Sequence, residues 1–73
     1  MARMTKISKE NLLVADRLMI EQSDSNGWYY VKVYRKGMMS YLSDSKGPIL
    51  YYTTKDARWS VKRIRPDLEP TTI

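Results

Sequence analysis

Residues 26–42 read Asn-Gly, then WYYVKVYR, then Lys-Gly, then MMSYL. This succession leaves the segment little choice but antiparallel strands. β-Branched and aromatic side chains crowd a helix and fit a pleated surface, so Trp28 to Arg35 is the most secure strand of the chain. Asn26-Gly27 tolerates positive φ and predicts a tight reversal into that strand, and Lys36-Gly37 predicts a second reversal into Met38–Leu42. Successive side chains leave opposite faces of a strand. Tyr29, Val31 and Val33 are therefore expected on one face, with Trp28, Tyr30, Lys32 and Tyr34 on the other.

Around this hairpin the remaining elements are read from periodicity and punctuation. Residues 1–7 are expected to form a flexible basic arm. Ser8 is a candidate N-cap for a short helix through Leu12, Leu13 and Asp16. Leu18 to Gln22 either continues that helix or switches to strand, and periodicity alone leaves both open. After a polar loop, Ser43 to Gly47, and Pro48, a further strand is expected through Ile49, Leu50, Tyr51 and Tyr52. Next comes TTKDARWSVKRIR, Thr53 to Arg65, ended by Pro66. Thr53 can accept from the amide of Asp56, and the Asp56 carboxylate suits the positive end of a helix dipole, so this stretch predicts a helix. The expected organisation is one α+β domain over residues 8–66. It is a three- or four-stranded antiparallel sheet with a C-terminal helix packed on one face and a possible short N-terminal helix, followed by a flexible tail at 67–73. Tyr29, Val31, Val33, Leu50, Ala57, Val61 and Ile64 are the expected core.

Length and composition narrow the function. A chain of 73 residues holds one small core. It has no cysteine and no histidine, which removes disulfides, thiolate nucleophiles, imidazole bases and the common transition-metal sites. Its carboxylates form no close pair on a secure element, and Gly27, Gly37 and Gly47 belong to no phosphate-cradling motif. A non-catalytic protein without cofactor or metal is therefore expected. With no long apolar run and no cleavable leader pattern, a soluble, unprocessed, cytoplasmic protein without membrane contact is expected as well.

Two surfaces then stand as candidates for binding. On a helix, Lys55, Arg58, Lys62 and Arg65 share one face, with Arg63 on its flank and Arg35 and Lys36 of the hairpin as potential neighbours. Asp56 is the only anion in that stretch, and the chain carries a formal charge of +5. Such a patch is the electrostatic footprint of polyanion binding, or a solvated helix face. The second surface is the strand face of Trp28, Tyr30, Lys32 and Tyr34. Rings interleaved with a cation can stack on unpaired bases, anchor a protein partner, or simply cover a small sheet. Trp59 falls between the apolar and basic helix faces and is read as the edge of the core, with an interface anchor as the alternative.

The stretches YYVKVYRKGMMSYL and ILYYTTKDARWSVKRI, within Trp28 to Ile64, resemble the strand-strand-strand-helix succession of AP2-like and phage integrase arm-binding domains. That resemblance implies DNA contact through the sheet, at Tyr30, Lys32, Tyr34 and Arg35. The chain departs from the pattern in lacking a glycine between its last strand and the helix. In size, basic composition and absence of catalytic residues it also resembles small bacteriophage regulators of host machinery. Among these are inhibitors and antiterminators of RNA polymerase and inhibitors of CRISPR complexes. The leading expectation is accordingly a phage-type regulatory protein that binds a host complex, RNA polymerase foremost, in the host cytoplasm and modulates transcription. Reversing Arg58 and Lys62 to glutamate is then expected to weaken binding without unfolding the domain. The alternative is a direct DNA- or RNA-binding module, and a third possibility is an assembly subunit. Oligomeric state stays open.

Overall fold

The structure, a computed structural model, describes residues 3–72. Helix α1, Lys6–Leu13, is followed by strands β1, Arg17–Gln22, β2, Tyr29–Arg35, and β3, Met38–Tyr41. A small hairpin of β4, Ser43–Asp44, and β5, Gly47–Pro48, leads to helix α2, Thr54–Lys62, and to a final strand β6, Thr71–Thr72. The sheet order is β3-β2-β1-β6, with antiparallel pairing except between β1 and β6, which are parallel. The fold is thus α+β, and a helix followed by a strand is the correct reading of residues 8–22.

The alternation in β2 sorts its faces as the pattern requires. Val31 and Val33 are buried, and opposite them in register lie Ile20 and Leu18 of β1. These four meet Leu12 of α1 and Ala57 and Val61 of α2, while Ala15, Leu42 and Ile49 close the core. Tyr29 and Ile64 pack against it half-buried, but Leu50, expected inside, is 39% exposed. The reason is local. Ile49 donates its N–H to the Leu42 carbonyl at 2.9 Å and Tyr51 exchanges backbone bonds with Tyr29, so the intervening Leu50 faces the other way. The stretch 49–52 is consequently not a third sheet strand beside β2 and β3. It touches the sheet through the single Tyr29–Tyr51 bridge.

Several local expectations shift for identifiable reasons. Residues 23–28 form a longer loop in place of a two-residue turn, because the Asn26 side chain accepts from Trp28 N–H at 3.0 Å and Gln22 Nε2 donates to the Gly27 carbonyl at 2.8 Å. The Lys36-Gly37 turn is as expected, with φ of 50° and 81°. The cap of α1 is Thr5, whose hydroxyl accepts from Ser8 N–H at 3.1 Å. Ser8 is buried inside the helix instead, and its hydroxyl accepts from Ser43 N–H at 2.9 Å. Residues 3–7 are therefore no free arm: Thr5 N–H donates to the Ser43 carbonyl at 3.0 Å and Met4 packs on the core. Residues 67–72 are no free tail either. Leu68 packs on the core, Pro70 is buried, and Thr71 and Thr72 pair with Met19 and Ile20. Met1, Ala2 and Ile73, the extremes of both segments, lie outside the described residues.

Candidate binding surfaces

Helix α2 begins as its sequence predicts, with Thr53 Oγ1 accepting from Asp56 N–H at 3.1 Å. It ends at Lys62, because the residue before a proline is pushed out of helical geometry and Pro66 has no N–H to donate. Arg65 is thereby lifted off the expected basic face and turned toward α1. Its Nη1 donates to the carbonyls of Leu12, Leu13 and Ala15 at 3.0, 3.1 and 2.8 Å, capping the C-terminus of α1. Its Nε and Nη2 hold the Asp67 carboxylate in a fork, at 3.0 and 2.8 Å. Arg65, expected on the basic binding face, thus serves within the chain as a cap on the end of α1.

Two further cations of the helix face are also engaged within the chain. Arg58 and Lys62 both pair with Glu69, and Arg58 additionally donates to the Thr72 hydroxyl. These contacts strap the 67–72 segment along α2 and so hold β6 beside β1. Reversing Arg58 and Lys62 to glutamate would set two carboxylates against Glu69, so that change perturbs the strap itself. Only Lys55 and Arg63 of the five expected helix cations make no ion pair among the described residues, and Arg63 lies over the Trp59 ring at 4.8 Å. Arg35 and Lys36 do not join them. They sit in the β2–β3 hairpin, at the opposite edge of the sheet from β6.

Trp59, expected at the core edge, is 60% exposed. On α2 it shares a face with Asp56 and Arg63, one turn apart on each side, distinct from the Ala57–Val61 core face. The interface-anchor alternative therefore fits its position.

The strand face is assembled more fully than the sequence indicated. Both helices pack on the Val31–Val33 side, leaving the other side of β1–β3 without a covering helix. In register there stand Tyr30, Lys32 and Tyr34 of β2, Arg17, Met19 and Glu21 of β1, and Met39 and Tyr41 of β3. The Tyr30 and Tyr41 rings meet edge to face at 5.4 Å, and the Arg17 guanidinium lies 4.5 Å over the Tyr34 ring. Lys32 is paired with Glu21 across the strands. Trp28 stands just outside this group, its ring 4.5 Å from that of Tyr52. Tyr41, Met39 and Met19 escaped the sequence reading because their membership depends on which strands are neighbours, a non-local fact.

The carboxylates of these pairs titrate low. Hydrogen bonds from Lys32, Arg65 and Lys62 hold Glu21, Asp67 and Glu69, respectively, below their ordinary values of 4.5, 3.8 and 4.5. Burial, with the Glu21 charge adding to it, pushes the Tyr30 hydroxyl up. A carboxylate with a folded pKa below its unfolded one stabilises fully above the unfolded value and loses that contribution as pH falls through the folded one. Melting temperature is thus expected to stay level from neutrality down to about pH 5 and to fall steadily below that. Glu69→Gln should shallow the acid limb, a result read from thermal unfolding at a series of pH values. An acid limb unchanged in Glu69→Gln would mean the strap carries no linkage.

Among the described residues no helix is long and apolar enough to cross a membrane, and no group of three His, Cys, Asp or Glu side chains stands ready to hold a metal. No family model, curated protein or solved structure matches this chain.

Proposed function

We propose that the chain is a small non-catalytic regulatory protein that docks on a protein partner through the open face of its sheet. A multisubunit host complex of the RNA polymerase kind is the first partner to test. The carrying observation is the composition of that face. Three tyrosines and two methionines stand together there, while its cations are already committed, Lys32 to Glu21 and Arg17 to the Tyr34 ring. Tyrosine supplies large rigid contact area with a polar handle, and methionine adapts to a partner's contour. A phosphate backbone would find few free charges on this surface. The helix cations that suggested polyanion binding are largely spent on Glu69, Asp67 and the carbonyls of α1, which favours the protein reading over the nucleic-acid one.

The test is retention from bacterial lysate with and without nuclease, comparing the wild type with Met39→Ser/Tyr41→Ser. These two side chains are 43% and 39% exposed, so the pair of substitutions leaves the core intact. The expected result is nuclease-resistant recovery of a defined complex that the double variant loses. Retention abolished by nuclease, with affinity falling log-linearly and steeply with salt, would instead establish the nucleic-acid reading.

A further inference from the structure

The groove-facing side of α2 takes no part in the sheet face or in the strap. Asp56, Trp59, Ser60 and Arg63 form one wall of a groove of about 820 Å³, facing Arg3, Met4 and Lys9 across a floor made by Ile49 and Tyr51. Its volume lies within the roughly 300–1,000 Å³ span of ligand clefts. The floor is apolar and firm. Ile49 belongs to the buried core, and Tyr51 is fixed by its hydroxyl, which donates to Ser60 Oγ at 2.9 Å.

The rim is cationic. Arg3, Lys9 and Arg63 are exposed and make no ion pair among the described residues, against the single carboxylate of Asp56. Arg63 is also positioned. Its guanidinium rests 4.8 Å from the Trp59 ring centroid, so its fork is held over an exposed indole before any ligand arrives. An exposed tryptophan beside an apolar floor and a preset guanidinium offers an apolar anchor point ringed by positive charge.

We infer that this groove is a binding site for an extended acidic peptide segment carrying a large apolar side chain. The apolar side chain lies against Trp59 and the floor, flanking carboxylates engage Arg63, Lys9 and Arg3, and the Asp56 carboxylate is free to accept a peptide N–H. A nucleic-acid strand fits less well, because in the groove Trp59 alone offers a widely exposed ring for stacking, Tyr51 being half-buried and tied to Ser60. The site is on the helix side of the sheet and does not depend on the docking face proposed above.

The experiment is a selection of a random nonapeptide display library on the full chain, followed by titration of the synthesised winner. The expected winners carry net negative charge and a Leu, Phe or Trp. Their affinity should fall at least about tenfold in Lys9→Glu/Arg63→Glu, and comparably in Trp59→Ala, the loss expected when an interface anchor is removed. The milder Lys9→Gln/Arg63→Gln, checked for an unchanged melting temperature, should show a smaller fall in the same direction. Met39→Ser/Tyr41→Ser should leave peptide affinity unchanged, which separates this site from the sheet face. Failure to enrich any sequence, neutral or basic winners, or an affinity indifferent to the Lys9 and Arg63 changes would overturn the inference. So would an oligothymidylate nonamer that binds and is lost in Lys9→Glu/Arg63→Glu, since it would assign the groove to single-stranded nucleic acid.

Discussion

Replacing Arg65 by methionine is expected to lower stability by roughly 2–4 kcal/mol, read as a reduced urea midpoint at unchanged slope. One guanidinium nitrogen serves the carbonyls of Leu12, Leu13 and Ala15, and it reaches them across a sequence separation of 53, 52 and 50 residues. Without it the carbonyls of Leu13 and Ala15 lose this donor, that of Leu12 keeps only the 3.3 Å bond from Ala15 N–H, and the negative end of the helix loses a cation. Charged hydrogen bonds contribute about 1.5–3 kcal/mol each, but three acceptors sharing one donor group do not add, which sets the range. Methionine keeps most of the aliphatic stem, so the measured loss reports the polar head. Asp67→Asn is the control. Its carboxylate is 61% exposed, so breaking that fork should cost less than about 1 kcal/mol. If Arg65→Met and Asp67→Asn cost the same, Arg65 acts as a surface ion pair and the cap is not what holds α1.

Leu42→Ala should be comparably damaging, costing about 3 kcal/mol, within the range of roughly 2–5 for emptying a core leucine site. Leu42 is fully buried, and its backbone bonds to Val31 on one side and Ile49 on the other, so the surroundings cannot easily close over the space. For a domain of this size the total is on the order of 4–11 kcal/mol, and a melting temperature drop of about 12–24 °C follows. Leu50→Ala, a few residues further along, should cost under about 1 kcal/mol because its side chain already meets solvent. The contrast is decisive for the packing of this segment. Equal losses at the two positions would mean that Leu50 is inside after all.

That pair of leucines also shows where the sequence is legible. The β2–β3 hairpin, the inward face of Val31 and Val33, and the Thr53 cap depend on neighbours a few residues apart, and each appears as the pattern predicts. Leu42 and Leu50 differ only in long-range backbone pairing, which no local period encodes. Arg65 is the same lesson in charge. Helical spacing placed it with Arg58 and Lys62, but Pro66 ended the helix first and sent its side chain to α1. The basic face was visible in the residues, whereas Glu69, which pairs with Arg58 and Lys62, sat in a segment with no regular pattern of its own. Tyr30, Lys32 and Tyr34 follow from alternation, Trp28 falls just outside their group, and Met19, Met39 and Tyr41 required the strand order.

The placement of β6 bears on how the molecule is made. β1, β2 and β3 can pair as soon as residue 41 is available, yet the free edge of β1 waits for residues 71 and 72. At synthesis rates of about 5–20 residues per second, that edge stands open for roughly 2–6 s on each nascent chain. Met19 and Ile20, the positions β6 later covers, are available during that interval to any other extended strand in reach.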